Sequence, residues 1–220
     1  YRKNCLLYYP LTPPRLPDKH PGRYYDAVVN ECLPLLYAAH GHAMLLFTAY
    51  HAMSGIQERL AKKRLPWPVF TMGKAAAHTI EQFRKHPGSV LLATGAAWEG
   101  FDFPGDCVSL LIIPRLPFPI PDAVSENERE KYPSIQAYIQ SVVVPEMQIK
   151  LKQGFGRAIR TETDTCVIAI LDERAGPGKR YHRDVEIALP RMPVTQNISD
   201  VERFIRRVKT SDYFREAGKM

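Results

Sequence analysis

Four short stretches of this chain, residues 43–48, 89–94, 107–113 and 166–171, are apolar almost throughout, and the segments between them carry apolar residues at helical spacing. A strand solvated on one face alternates apolar and polar side chains. An uninterrupted apolar run of strand length belongs instead in a sheet covered on both faces. Helical patterns occupy residues 23–40, 54–64, 75–85, 134–141 and 199–209, and shorter strand-like runs occupy 5–9 and 67–71. In the first helix Ala27, Val28, Cys32, Leu35 and Leu36 share a side, and a break or kink is expected at Pro34. Lys62, Lys63 and Arg64 complement the dipole at the end of the second. Strands alternating with helices predict an α/β fold with a mostly parallel sheet and helices on both faces. Ligands in such sheets gather at the carboxyl ends of the strands.

The 220 residues suffice for a single domain, 1–220, with a large buried core. Residues 1–22 read as an N-terminal strand and proline-rich connector, and 114–140 as an inserted proline-rich loop and helix. Pro114, Pro117, Pro119 and Pro121 suggest a rigid connector, with a partner- or DNA-facing loop as the alternative. No run approaches the 18 or so apolar residues that span a bilayer, so no membrane association is expected. The start of the chain has neither signal-peptide architecture nor an initiator Met, which suggests a piece of a longer protein.

Lys and Arg number 30 against 23 Asp and Glu, and the resulting charge of +7 suits a polyanionic partner, either nucleic acid or nucleotide phosphates. Cys5, Cys32, Cys107 and Cys166 are scattered and form no C-x-x-C pair. They read as buried thiols in a reducing cytoplasm and not as a zinc or iron–sulfur site. His40 and His42 share a strand face but have no further ligand nearby, so no metal site is expected.

The segment Gln153-Gly154-Phe155-Gly156-Arg157-Ala158-Ile159-Arg160 places Gln153, Arg157 and Arg160 at i, i+4 and i+7, on one helical stripe. Pro145 and Glu146 read as the start of that helix. Two rigid guanidinium forks on one face suit a transferring phosphate; a solvated arginine face is the plain alternative. Gly154 and Gly156 favour the first reading, because each costs about 1 kcal/mol in a helix relative to Ala. They imply that something needs a close approach.

Residues 94–105 begin where a buried strand ends and combine three glycines with Glu99 and Asp102. Such a loop brings its backbone near a ligand, or is a turn whose acids cap the next element. Its acids can receive a ribose hydroxyl or orient the arginines. Thr48 and Tyr50 also follow an apolar strand, where Thr48 can hold a nucleic-acid phosphate and Tyr50 can stack; the alternative is a helix N-cap at Thr48 or Ser54. Asp172 and Arg174 are expected to pair with each other or to support the arginine helix. No G-x-x-x-x-G-K-[ST] loop and no D-E-x-H-type acidic strand end occurs, so nucleotide cycling requires another domain.

Together these residues resemble the C-terminal motor domain of superfamily-two helicases, in the DinG/XPD-like branch. Trp98-Glu99-Gly100-Phe101-Asp102-Phe103-Pro104-Gly105 is similar to that family's motif V, and the 153–160 segment to its motif VI. The 161–164 and 171–174 segments continue the pattern, and 45–50 resembles the motif IV region. Cys166 departs from a glycine often found at its position in the family.

The resemblance implies a RecA-like second motor domain without its own P-loop, part of an ATP-dependent DNA helicase moving 5′ to 3′ on single-stranded DNA in DNA repair. It implies Arg157 and Arg160 as arginine fingers and Gln153 as a phosphate sensor. Glu99, Gly100 and Asp102 would link nucleotide state to cleft closure, and Thr48, Tyr50 and Thr94 would face nucleic acid. ATP and Mg²⁺ would be held mainly by an N-terminal motor domain of the same protein. An iron–sulfur cluster, where the family has one, lies outside this chain. A non-catalytic nucleic-acid-binding or protein-docking module with the same fold, and half of an RNA helicase, stand as rivals.

Overall fold

In a computed structural model, which describes residues 1–17, 21–98, 100–103, 105–159, 161 and 163–216, strands and helices alternate along the chain. β1 (Cys5–Tyr8) precedes α1 (Pro21–Ala38), β2 (Ala43–Phe47), α2 (Tyr50–Ala61) and β3 (Val69–Thr71). α3 (Ala76–Lys85), β4 (Val90–Thr94) and β5 (Leu110–Ile113) follow. α4 (Ala123–Arg129), α5 (Ile135–Tyr138) and α6 (Val144–Ala158) lead to β6 (Cys166–Ile170) and α7 (His182–Ala188). β7 (Val194–Thr195), α8 (Ile198–Val208) and α9 (Ser211–Glu216) complete the order.

The strands form one seven-stranded sheet in the order β3-β4-β2-β5-β6-β1-β7. Every neighbouring pair is parallel. The four apolar runs of the sequence are the four adjacent strands β4, β2, β5 and β6, and β2, β5 and β6 are buried along their whole length. Alternate residues feed two cores. Met44 and Leu46 join Leu151 and Phe155 of α6 and Val185 of α7 on one face. Leu45 and Phe47 join Val28 of α1, Ile56 of α2 and Ile205 of α8 on the other. A helix that links two parallel strands must run back from their carboxyl ends to their amino ends, so the C-termini of α3 and α6 lie at the amino end of the sheet.

Several local expectations are corrected. α2 begins at Tyr50 and not at 54. Its N-cap is Ala49, with no side-chain capping bond, so neither Thr48 nor Ser54 serves as the cap. α1 continues through Pro34 because Val28, Cys32, Leu35 and Leu36 anchor it to the core on either side. β5 begins at Leu110, preceded by a 3₁₀ turn over Gly105–Val108. The arginine helix does not start afresh at Pro145: α5 and α6 are joined by a π-helical stretch, Ile139–Val143. Pro145 has no N–H and its ring crowds the carbonyl four residues earlier, which a widened turn relieves. Cys5, Cys32 and Cys166 are buried as expected, whereas Cys107 is half-buried. Burial pushes the Cys5 thiol up to about 11.

His40 and His42 both adopt left-handed backbone, with φ of 52° and 42°. Among the described residues no group of three or more His, Cys, Asp or Glu could hold a metal ion. Instead, the buried His42 ring stacks on Tyr213 at 4.0 Å, and its Nδ1 lies 3.0 Å from the Asp106 carbonyl. Its Nε2 is buried without a hydrogen-bond partner. Burial accordingly lowers the His42 pKa from 6.5 to about 4. An unfolded chain takes up that proton near the ordinary value. Stability is therefore complete above pH 6.5 and declines as pH falls towards 4, by up to about 3 kcal/mol. His42→Asn, which tolerates left-handed backbone, is expected to remove this part of the acid sensitivity in urea unfolding compared at neutral pH and near pH 4.5.

Candidate functional site

α6 buries Val144, Met147, Leu151, Gly154, Phe155 and Ala158, which leaves Gln153 and Arg157 on its flank. Arg157 Nη1 donates to the Phe101 carbonyl at 3.0 Å and lies 3.3 Å from Asp102 Oδ1. The carbonyl of Asp102 in turn accepts from Arg84, near the end of α3. The loop therefore orients the arginine, one of the two roles its acids suggested. The Arg157 side chain is only 16% exposed, and its Nε is buried without a hydrogen-bond partner. Gln153 Oε1, one turn earlier, is likewise buried and unpaired. Each unmet buried group costs about 1–3 kcal/mol. The site is half satisfied: Arg157 Nη1 is bonded and the buried Nε–H is unspent.

Of the stripe expected through position 160, Gln153 and Arg157 lie on α6. α6 ends at Ala158, and Ile159 is extended (φ −128°, ψ 107°) with its side chain buried in the core. Arg160 and Glu99 lie outside the described residues. Gly100 is exposed in a bend.

The two glycines of this segment have different reasons. A Cβ at Gly154 would stand 2.7 and 2.8 Å from Cζ3 and Cε3 of Trp98 and 3.1 Å from Leu46 Cδ2, whereas at Gly156 it would meet nothing within 4 Å. Gly154 seats α6 against the indole; Gly156 leaves a bare strip of helix beside Arg157. Gly154→Ala is expected to cost about 1–3 kcal/mol through overpacking. Gly156→Ala is expected to stabilise by up to about 1 kcal/mol, or roughly 2–4 °C in melting temperature. Thermal unfolding of the two variants checks the opposite signs.

A second group forms at the carboxyl end of the sheet. Phe47 and Thr94 are register partners at the ends of β2 and β4. Thr94 Oγ1 donates to the Phe47 carbonyl at 3.0 Å, and Trp98 Nε1 donates to the same oxygen at 2.8 Å. Thr48 is half-buried, and Tyr50, the first residue of α2, is 64% exposed. The proposed site residues thus fall into two sets: Gln153, Arg157 and Asp102 by the C-terminal turn of α6, and Thr48, Tyr50 and Thr94 at the strand ends. Trp98 lies between them, its indole beside Gly154 and bonded to the Phe47 carbonyl that Thr94 shares. Its signal was a large indole in a glycine-rich loop, where only burial explains it.

Asp172 and Arg174 pair with each other and not with α6. Asp172, fully buried in its side chain, accepts from Arg174 Nε at 2.9 Å and Nη2 at 2.7 Å. It also accepts from the backbone N–H groups of Arg174 and Leu116, at 3.0 and 2.9 Å. The Leu116 bond ties the proline-rich loop to the end of β6.

Residues 32–192 match the family described as the helicase C-terminal domain. The chain is similar to the ATP-dependent DNA helicase YoaA of Haemophilus influenzae, with 32% identity over 94% of this chain and 32% of that protein. It is also similar to the ATP-dependent helicase DinG of Mycobacterium tuberculosis, with 31% identity over 84% of this chain and 28% of that protein. The chain therefore spans about a third of the length of these relatives. An XPD structure in the apo form superposes with a TM-score of 0.64 at 14% identity, covering 88% of this chain and 40% of that one. A likeness at that identity concerns the fold.

Proposed function

This chain belongs to the helicase C-terminal domain family, in the DinG/XPD-like branch, and from that premise we propose that it is the second motor domain of an ATP-dependent DNA helicase. The observation that carries the reading is the half-satisfied pair Arg157 and Gln153, held at the edge of the domain by the loop around Asp102. ATP bound by a first motor domain presents its γ-phosphate to this edge. Arg157 and Arg160 neutralise the charge that develops there, and Gln153 contacts the same phosphate. Mg²⁺ is held mainly by that first motor domain, together with the nucleotide phosphates.

Asp102, together with Glu99 and Gly100, reports closure of the cleft along the loop that begins at Thr94. Thr48, Tyr50 and Thr94 face single-stranded DNA at the other end of the sheet, and translocation runs 5′ to 3′. Trp98, seated on Gly154 and bonded to Phe47, is the rigid link between these ends. The test is ATP hydrolysis by the full-length parent with and without single-stranded DNA, wild type against Arg160→Ala. DNA-stimulated turnover that collapses in the variant while ATP still binds is the expected result. Turnover unchanged by the substitution removes Arg160 from the active site. The 220-residue chain alone is expected to show no significant turnover.

A further inference from the structure

The insertion between β5 and α6 carries an apolar groove of about 590 Å³. Ile120, Val124 and Ile135 line it and are 75%, 74% and 56% exposed. They are among the most exposed large apolar side chains of the molecule. Helix α4, one wall of the groove, contains no buried residue and is held by a capping box in which Asp122 and Ser125 bond each other's backbone N–H at 2.8 Å. So short a helix gains no stability from packing and would be marginal on propensity alone. Its one large apolar side chain, Val124, nonetheless lines the groove. The opposite wall includes Ile139 and Val143 of the π-helical stretch, a rare backbone form that recurs at functional sites.

Charge narrows the occupant. Asp122, Glu126, Glu128 and Glu146 rim the groove against the single basic residue Arg129, on a chain whose net charge is +7. A local negative rim on a basic protein repels nucleic acid and attracts a cationic partner. The groove also opens at the start of α6, about 16 Å along that helix from Arg157, away from the edge assigned to the nucleotide. We propose that this groove docks a basic amphipathic helix of a separate partner protein, with aliphatic side chains in the groove and lysines or arginines on the acidic rim. The proposal does not depend on the motor reading.

The test uses the 220-residue chain and a fluorescein-labelled peptide of leucine and lysine, about five helical turns long, with leucine at positions i, i+3, i+4 and i+7. A peptide of the same composition in scrambled order is the control for charge alone. In fluorescence anisotropy at physiological salt, the amphipathic peptide is expected to bind saturably and the scrambled one roughly tenfold or more weakly. Val124→Asp, Ile135→Asp and the pair Glu126→Lys with Glu128→Lys should each weaken binding by roughly tenfold. All four positions are exposed or half-buried, so unchanged thermal melts show that the fold is kept. Equal binding of the two peptides, or binding indifferent to these substitutions, overturns the proposal. Self-association of the chain in sedimentation that disappears in Val124→Asp also overturns it, because the occupant is then a second copy.

Discussion

Arg157→Ala in the full-length parent is expected to lower DNA-stimulated ATP turnover by roughly 10³-fold or more, the low end of what an arginine supplied across a nucleotide cleft contributes. The KM for ATP should change far less, because the guanidinium acts on charge that appears in the transition state and the first domain holds the nucleotide. Arg157→Lys should fail to restore turnover: a lysine carries the charge but lacks the planar fork that bonds Phe101 and Asp102 while leaving Nε free. The stability of the variant separates this from a structural role. The Arg157–Asp102 contact is a partly exposed pair worth about 0–1 kcal/mol, so its loss should barely move the melting temperature. A fall in turnover that only tracks unfolding would assign Arg157 to the scaffold.

Asp172→Ala is expected to have the largest effect on stability, about 3–5 kcal/mol, since removing one partner of a buried pair leaves the other charge uncompensated. Arg174 would keep only its stacking on Phe118 and Tyr181, at 4.9 and 5.8 Å, and the Leu116 N–H would lose its acceptor. For a domain of this size that is a fall of roughly 10 °C in melting temperature. Burial by itself would raise the Asp172 pKa. The Arg174 and backbone donors outweigh it and hold the carboxyl below its ordinary 3.8. The sign follows: the contribution is complete above the ordinary carboxylate value and is lost as pH falls through the lowered one. Acid unfolding should thus proceed in two stages, His42 between pH 6.5 and about 4, then Asp172 below. The variant should abolish the second.

The sheet was legible because its central strands are apolar without interruption, a pattern that only two-sided burial explains; two peripheral pieces were not. β7 is two residues long, and α4 has no buried side, so neither carries periodicity to detect. The boundary of α6 was misjudged because its end is set by where Ile159 can be buried, a tertiary fact. In the site, residue types and spacing pointed to Gln153, Arg157 and Asp102. What they could not disclose is that Gly154 exists for the Trp98 ring, 56 positions away in sequence order, as the numbering of the two residues shows. Contacts between distant segments leave no local trace.

β1 lies between β6 and β7, and Leu7 is in register with Ile168 on one side and Val194 on the other. The first of these seven strands to be made therefore has to wait for almost the whole domain to emerge before it finds either neighbour. Until then β1 is unpaired and β5 presents an open edge that invites pairing with other chains. With every pairing parallel and none closed by a hairpin, folding is expected to be slow and the nascent chain exposed to misassembly until its last third emerges.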